Sequence, residues 1–139
     1  MSKLNVTTVS SGRVLASTRL ADPIFQFGTE TVLKTTVVYP DRLFDNASGI
    51  ELRQRITKII EAGTETILID FSNTAFIDSL GLGHLVLALK AARLAGVPIY
   101  LCSLNDQCRI IFELTRVNTI FDIFPDAATF RQTVTALIA

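Results

Sequence analysis

The run Ile67-Leu68-Ile69-Asp70-Phe71-Ser72-Asn73-Thr74-Ala75-Phe76-Ile77-Asp78-Ser79-Leu80-Gly81-Leu82-Gly83 changes its hydrophobic pattern part-way. Ile67–Phe71 is a short apolar run with one acid near its end, as in a strand buried on both faces. From Ser79 the period becomes helical and continues to about Ala95, where Gly96 supplies a stop. The chain therefore reads as strand, loop and helix. Loops that leave the carboxyl end of a strand, as Ser72 to Asp78 does here, are where open α/β sheets place function.

The same alternation continues on both sides. Upstream, Val32–Tyr39 is rich in β-branched residues and stops at Pro40, which predicts a strand. Ser48-Gly49-Ile50-Glu51 has the spacing of a capping box. A helix with Leu52, Ile56, Ile59 and Ile60 on one stripe follows, and Gly63 ends it. Downstream, Pro98–Cys102 predicts another strand, and Asn105 or Asp106 caps a third helix through about Thr115. Val117–Phe124 reads as irregular or short strand, and Asp126 caps a last helix with Phe130, Val134, Leu137 and Ile138 on one side. This order predicts an α/β layered fold with parallel crossovers. Residues 1–33 read differently. Their β-like pieces, Asn5–Val9, Arg13–Thr18 and Ile24–Phe27, are broken by Ser10-Ser11-Gly12 and Ala21-Asp22-Pro23, as in an appended arm or hairpin.

Composition excludes several function classes. The 139 residues carry 13 basic and 13 acidic side chains, so formal charge is zero and there is no basic cluster for phosphate backbones. With 49% hydrophobic and 19% charged residues, the chain has material for a sizeable core and is not a disordered polar chain. Mean hydropathy is +0.43, yet no charge-free run approaches the roughly 20 apolar residues of a membrane-spanning helix. The start, Met1-Ser2-Lys3-Leu4-Asn5-Val6, lacks the apolar centre of a signal peptide, which points to the cytoplasm. Cys102 and Cys108 are then expected as reduced thiols; their spacing matches no CxxC metal site, and no metal or cofactor is expected.

Enzymatic motifs fail one by one in the central run. A dinucleotide fingerprint beginning at Gly81 needs glycine where Val86 stands, and a P-loop needs Gly-Lys-Ser/Thr, which is absent. A nucleophile elbow around Ser79 needs glycine where Ile77 stands. His84, the sole histidine, lies about 140° around the helix from Ser79 and about 7.5 Å along it, too far to act as its base. Ser79 instead has position: it sits at or beside a helix N-terminus. It is there either as an N-cap or as a phosphoacceptor at an end that tolerates negative charge. The helix also carries two apolar stripes, where a surface helix normally has one. Leu82, Leu85, Val86 and Leu89 form the first; Leu80, Leu87, Ala91 and Leu94, with His84 among them, form the second. Either both are buried, the second against a neighbouring helix or the N-terminal arm, or the second is a docking face.

Asp78-Ser79-Leu80-Gly81-Leu82-Gly83, preceded by the strand Ile67–Phe71, resembles the STAS family, the anti-sigma factor antagonist domains of bacteria. Gly96-Val97-Pro98-Ile99-Tyr100-Leu101, Phe112-Glu113-Leu114-Thr115, Ile120–Phe124 and Asp41-Arg42-Leu43-Phe44-Asp45 resemble further family segments, so the likeness covers about residues 34–139. It implies a STAS-like layered fold, a four- to five-stranded mixed sheet with about four helices, preceded by the arm at 1–33. It also implies a protein-binding module without catalytic activity, whose partners are an anti-sigma factor serine kinase and a phosphatase. Ser79 matches the phosphoacceptor. Asp78, Leu80, Gly81, Gly83 and His84, with Asp45, Asn46 and Ser48, match the partner-binding surface. Neither direct nucleic-acid contact nor membrane insertion is implied; the oligomeric state is open, a dimer included. The chain departs from the family pattern at Leu80, where many switch members have a second serine, at Arg116, where glycine is common, and at Asp41 and Phe44. These departures leave a second use open, as a constitutive STAS scaffold or transporter-associated subunit.

Overall fold

The computed structural model describes residues 5–10 and 34–138. Five strands form the main sheet: β1 (Asn5–Ser10), β2 (Lys34–Tyr39), β4 (Thr66–Asp70), β6 (Ile99–Cys102) and β7 (Asp122–Phe124), hydrogen-bonded in that order. The pairs β2–β4, β4–β6 and β6–β7 are parallel, and β1 runs antiparallel to β2 along its full length, Asn5 opposite Tyr39 and Ser10 opposite Lys34. Between the strands lie helices α1 (Asn46–Glu61), α2 (Ser79–Leu94) and α3 (Asp106–Leu114), and α4 (Ala127–Ile138) closes the chain. The mixed sheet with four helices is the α/β layered architecture expected. The β-like reading of Asn5–Val9 corresponds to β1; those of Arg13–Thr18 and Ile24–Phe27 lie outside the described residues.

Side-chain alternation along the strands divides the core. Val38, Ile67, Ile69, Ile99 and Leu101 pack under α1, α2 and α3, with Leu52, Ile56, Leu85, Leu89 and Phe112. Val37, Leu68 and Cys102 point the other way, against Phe130 and Val134 of α4. Every residue of β4 is buried, which is why its centre, Ile67–Ile69, is an unbroken apolar run rather than an alternation. Phe71 stacks edge-on to both Phe44 and Phe112, at 5.8 and 6.4 Å between ring centroids, and so anchors the end of β4.

A second sheet was not foreseen. β3 (Leu43–Phe44) pairs in parallel with β5 (Phe76–Ile77), Phe44 opposite Ile77. Each strand runs directly into a helix, so the N-termini of α1 and α2 lie side by side. Gly81, in the first turn of α2, rests on β3: a methyl there would collide with the Phe44 carbonyl oxygen and stand 2.8 Å from its carbon.

Two expectations change. The capping box of α1 is Asp45 with Ser48, not Ser48 with Glu51. The Asp45 carboxylate accepts from Ser48 N–H at 3.2 Å, and Ser48 Oγ accepts from Asp45 N–H at 2.8 Å. Three residues of helix are gained because an aspartate directly after β3 can cap as soon as the strand ends. Val117–Phe124 resolves into a single 3-10 turn at Val117–Thr119 followed by β7. Arg116 enters that turn with φ 64° and ψ 11°, a left-handed conformation that costs a residue with a side chain.

Two substitutions test these backbone constraints. Gly81→Ala should destabilise the fold by about 2–3 kcal/mol in urea denaturation, because the obstructing atoms are backbone and cannot swing aside. Arg116→Gly should stabilise it by about 1 kcal/mol in the same measurement, by relieving the left-handed strain.

Candidate functional site

The loop after β4 is fastened before it reaches α2. Asp70 caps the turn Phe71–Asn73 by accepting from Ser72 N–H at 2.9 Å. Thr74 Oγ1 donates to the Asp41 carbonyl at 2.9 Å, and Asn105 Nδ2 donates to the Ala75 carbonyl at 3.1 Å. The Arg42 carbonyl accepts from Ala75 N–H, and that of Phe44 from Asp78 N–H at 3.2 Å. Three chain segments thus hold the loop, and the helix starts from a fixed point.

Asp78 is the N-cap of α2: its Oδ1 accepts from Gly81 N–H at 2.8 Å. Ser79 is therefore not the cap. It is the first helical residue, exposed, and its hydroxyl has no hydrogen-bond partner among the described residues. The nearer carboxylate takes the capping geometry and leaves the serine facing solvent at the positive end of the helix dipole.

The register of the small sheet unites the two stretches singled out in the sequence. Since Phe44 pairs with Ile77, the residues that follow them, Asp45 and Asp78, cap neighbouring helices. Asn46 is exposed beside them, and its Oδ1 lies 2.9 Å from His84 Nε2. His84 crosses from α2 onto α1 in a space open only because residue 49 is glycine; a Cβ there would stand 2.6 Å from His84 Cδ2. His84 Nδ1 is buried and has no partner among the described residues. Of the site residues, Ser79, Leu80, Gly83 and Asn46 are exposed, while Asp78, Asp45 and His84 are half-buried. Gly81 and Ser48 are buried and support the surface from beneath. Sequence reasoning missed Phe76 and Leu43, which are 45% and 49% exposed next to the paired caps. The signal was present in the repeated pattern apolar–apolar–Asp before a helix, at Leu43-Phe44-Asp45 and at Phe76-Ile77-Asp78.

The surface carries little acid–base or metal chemistry. Among the described residues no group of three or more His, Cys, Asp or Glu could hold a metal ion. Cys102 and Cys108 are free and buried; burial pushes the Cys102 thiol up to about 11 and the Cys108 thiol upward as well. Asp45 is held below the ordinary carboxylate range, first by the Ser48 N–H and then by the Ser48 hydroxyl. No helix among the described residues is long and apolar enough to cross a membrane.

The STAS domain family model matches residues 27–130. The chain belongs to the STAS domain family. Among curated relatives it is similar to the anti-sigma-B factor antagonist of Staphylococcus aureus (strain NCTC 8325 / PS 47), 29% identical over 73 residues, which is 52% of this chain and 68% of that protein. Among solved structures it resembles the anti-sigma factor antagonist SpoIIAA in its unphosphorylated form, with TM-score 0.56 and 17% identity over 76% of this chain and 90% of that one. The phosphorylated form of the Bacillus protein superposes with TM-score 0.53 and 19% identity, over 71% and 90%. A sulfate transporter family protein from Wolinella succinogenes has TM-score 0.61 and 11% identity, over 73% and 85%. At such identities the structural likenesses establish the fold alone.

The pH dependence of the α1 cap follows from Asp45. A carboxyl whose pKa is lower folded than unfolded adds stability above its unfolded pKa, and that stability is lost as pH falls through the folded pKa. In a carboxyl-detected NMR titration, Asp45 should titrate below the usual aspartate value of about 3.9. Ser48→Ala should move its midpoint upward by removing one of the two Ser48 hydrogen bonds. An unchanged midpoint would show that the hydroxyl contributes nothing.

Proposed function

We propose that this chain is a phosphorylation-switched binding module of the anti-sigma factor antagonist kind. Its unphosphorylated form sequesters an anti-sigma serine kinase, and Ser79 is the phosphoacceptor. The reading is carried by the placement of Ser79: exposed, without a hydrogen-bond partner among the described residues, and in the first turn of a helix already capped by Asp78. A phosphate there needs no rearrangement of the cap and can point into solvent, where a kinase can reach it and a phosphatase remove it. It brings about −1.5 to −2 charges to a surface that otherwise holds Asp45, Asp78 and exposed apolar side chains. The fold tolerates it; a partner that buries those apolar side chains does not. SpoIIAA, similar in fold, has been seen both with and without its phosphate, which supports the same use here.

In this reading Leu80, Gly83, Asp78, Asp45, Asn46 and His84 form the partner surface, and Gly81 and Ser48 hold its two helix ends in place. The switch resides in residues 34–139, with 1–33 as an extension, and acts in the cytoplasm without chemistry of its own. A second reading, a constitutive scaffold or transporter-associated subunit, is favoured by Leu80 in place of a second serine and by the fold's likeness to a transporter-family protein.

Incubation with the candidate anti-sigma serine kinase and ATP, followed by mass spectrometry, should place one phosphate on Ser79 and none on a Ser79→Ala variant. Ser79→Asp should bind the kinase at least about tenfold more weakly, a loss of about 1.4 kcal/mol. Phosphate elsewhere, or undiminished binding by Ser79→Asp, overturns the switch. Stable co-purification with a larger assembly whatever stands at position 79 favours the scaffold.

A further inference from the structure

The main sheet ends differently at its two edges. On one side β7 has three residues, begins with Asp122 and is followed by Pro125. Shortness, charge and a nearby proline all discourage a further strand from adding there. On the other side β1 has six residues, Asn5-Val6-Thr7-Thr8-Val9-Ser10, with no charge and no proline. It pairs with β2 at every position, without a bulge. Among the described residues no strand pairs with its outer edge. An antiparallel strand turns alternate N–H and C=O groups to each side, so this edge is a template for pairing.

The sequence of the strand points to the occupant. Two identical strands paired antiparallel share a two-fold axis perpendicular to the sheet, and the residue on that axis lies opposite its own copy. A charge there would meet a like charge, whereas a cross-strand threonine pair is favourable. The middle of β1 is Thr7-Thr8. The nearest charged residues on either side, Lys3 and Arg13, choose between the two. An axis at Thr8 would set Lys3 opposite Arg13 of the second copy. An axis at Thr7 sets it opposite Ser11, with Asn5 opposite Val9 and Val6 opposite Thr8. At longer range, 13 basic and 13 acidic side chains leave no net charge to keep two copies apart. The turn Ser11-Gly12 is poorly suited to fold residues 13–18 back onto the same edge. Two-residue hairpin turns take Asn or Asp before glycine, or glycine first.

We propose that β1 pairs antiparallel with β1 of a second copy about a two-fold axis at Thr7, joining two five-stranded sheets into one. The edge lies two strands from β4, whose loop leads to Ser79. The dimer therefore leaves that surface open and presents it twice, so a partner with two binding sites is held by both. A single pair of strand edges is a small interface, and the dimer exchanges with monomer. The inference is independent of the phosphorylation reading.

Analytical ultracentrifugation of the full chain should show a mass that rises with concentration from 15.2 kDa toward twice that value. Thr7→Lys and Thr7→Glu should each weaken the dimer at least about tenfold, and an equimolar mixture of the two should restore it. Damage to the fold, which circular dichroism reads separately, would give no restoration. A second variant does not depend on charge. Thr7→Cys should cross-link to its own copy on mild oxidation, because directly opposed Cα atoms stand about 4.5–5.5 Å apart. Cys102 and Cys108 are buried and do not compete. Thr8→Cys should cross-link several-fold less, since its copy lies diagonally, about 7–8 Å away. A monomer up to about 1 mM, no restoration in the mixture of folded variants, or cross-linking through Thr8→Cys but not Thr7→Cys overturns the proposal. So does a dimer that Leu80→Asp dissociates and Thr7→Lys does not, which assigns the contact to α2. A monomer whose outward β1 amides resist hydrogen exchange also overturns it and assigns the edge to residues 11–33.

Discussion

The contact between Gly81 and the backbone of Phe44 sets the position of everything at the functional end of the molecule. Helix α2 can approach β3 this closely because its first turn has no side chain at that point. The approach lets the Phe44 carbonyl accept from Asp78 N–H and lets β3 pair with β5 in a register that aligns Phe44 with Ile77. Any larger residue at position 81 would push the helix away from the small sheet. The two capping aspartates, one on each helix, would then no longer be neighbours.

From that constraint the surface follows in steps. Two parallel helix N-termini share one edge, each closed by a carboxylate one residue beyond a strand. Asp45 and Asp78 satisfy the backbone N–H groups that a helix end leaves unpaired, which frees Ser79 and Asn46 to face outward. Glycine at position 49 gives His84 room to lie across the helix pair and reach Asn46. The buried residues, Ser48 and Gly81, act on this surface only by holding its parts in register. A serine with no hydrogen-bond partner among the described residues, displayed among exposed apolar side chains, suits the recognition role proposed above.

Much of the fold was legible because its signals are local. The apolar run Ile67–Ile69 of β4, the stop glycines Gly63 and Gly96, and the caps Asn105 and Asp126 each report on a few neighbouring residues, and each lies where the pattern placed it. The misplacements share one cause. Ser48 with Glu51 has the spacing of a capping box, but Asp45 with Ser48 satisfies the same groups nearer the strand. Ser79 competes for the cap of α2 with Asp78, and the choice depends on where β5 ends. Arg116 stands where the family often has glycine, and only the backbone shows that the position is left-handed.

By itself the sequence determined the α/β order, the helix on which Ser79 stands, the family likeness and the lack of catalytic motifs, because these depend on periodicity and short-range spacing. Tertiary structure alone decided that Asp45 and Asp78 are neighbours, that Ser79 is free of the cap, and which apolar stripe of α2 is buried by the sheet. Stripes and caps look alike along a chain; whether another element covers them depends on long-range pairing. Here the pairing of Leu43–Phe44 with Phe76–Ile77 is too short to carry any periodic signal.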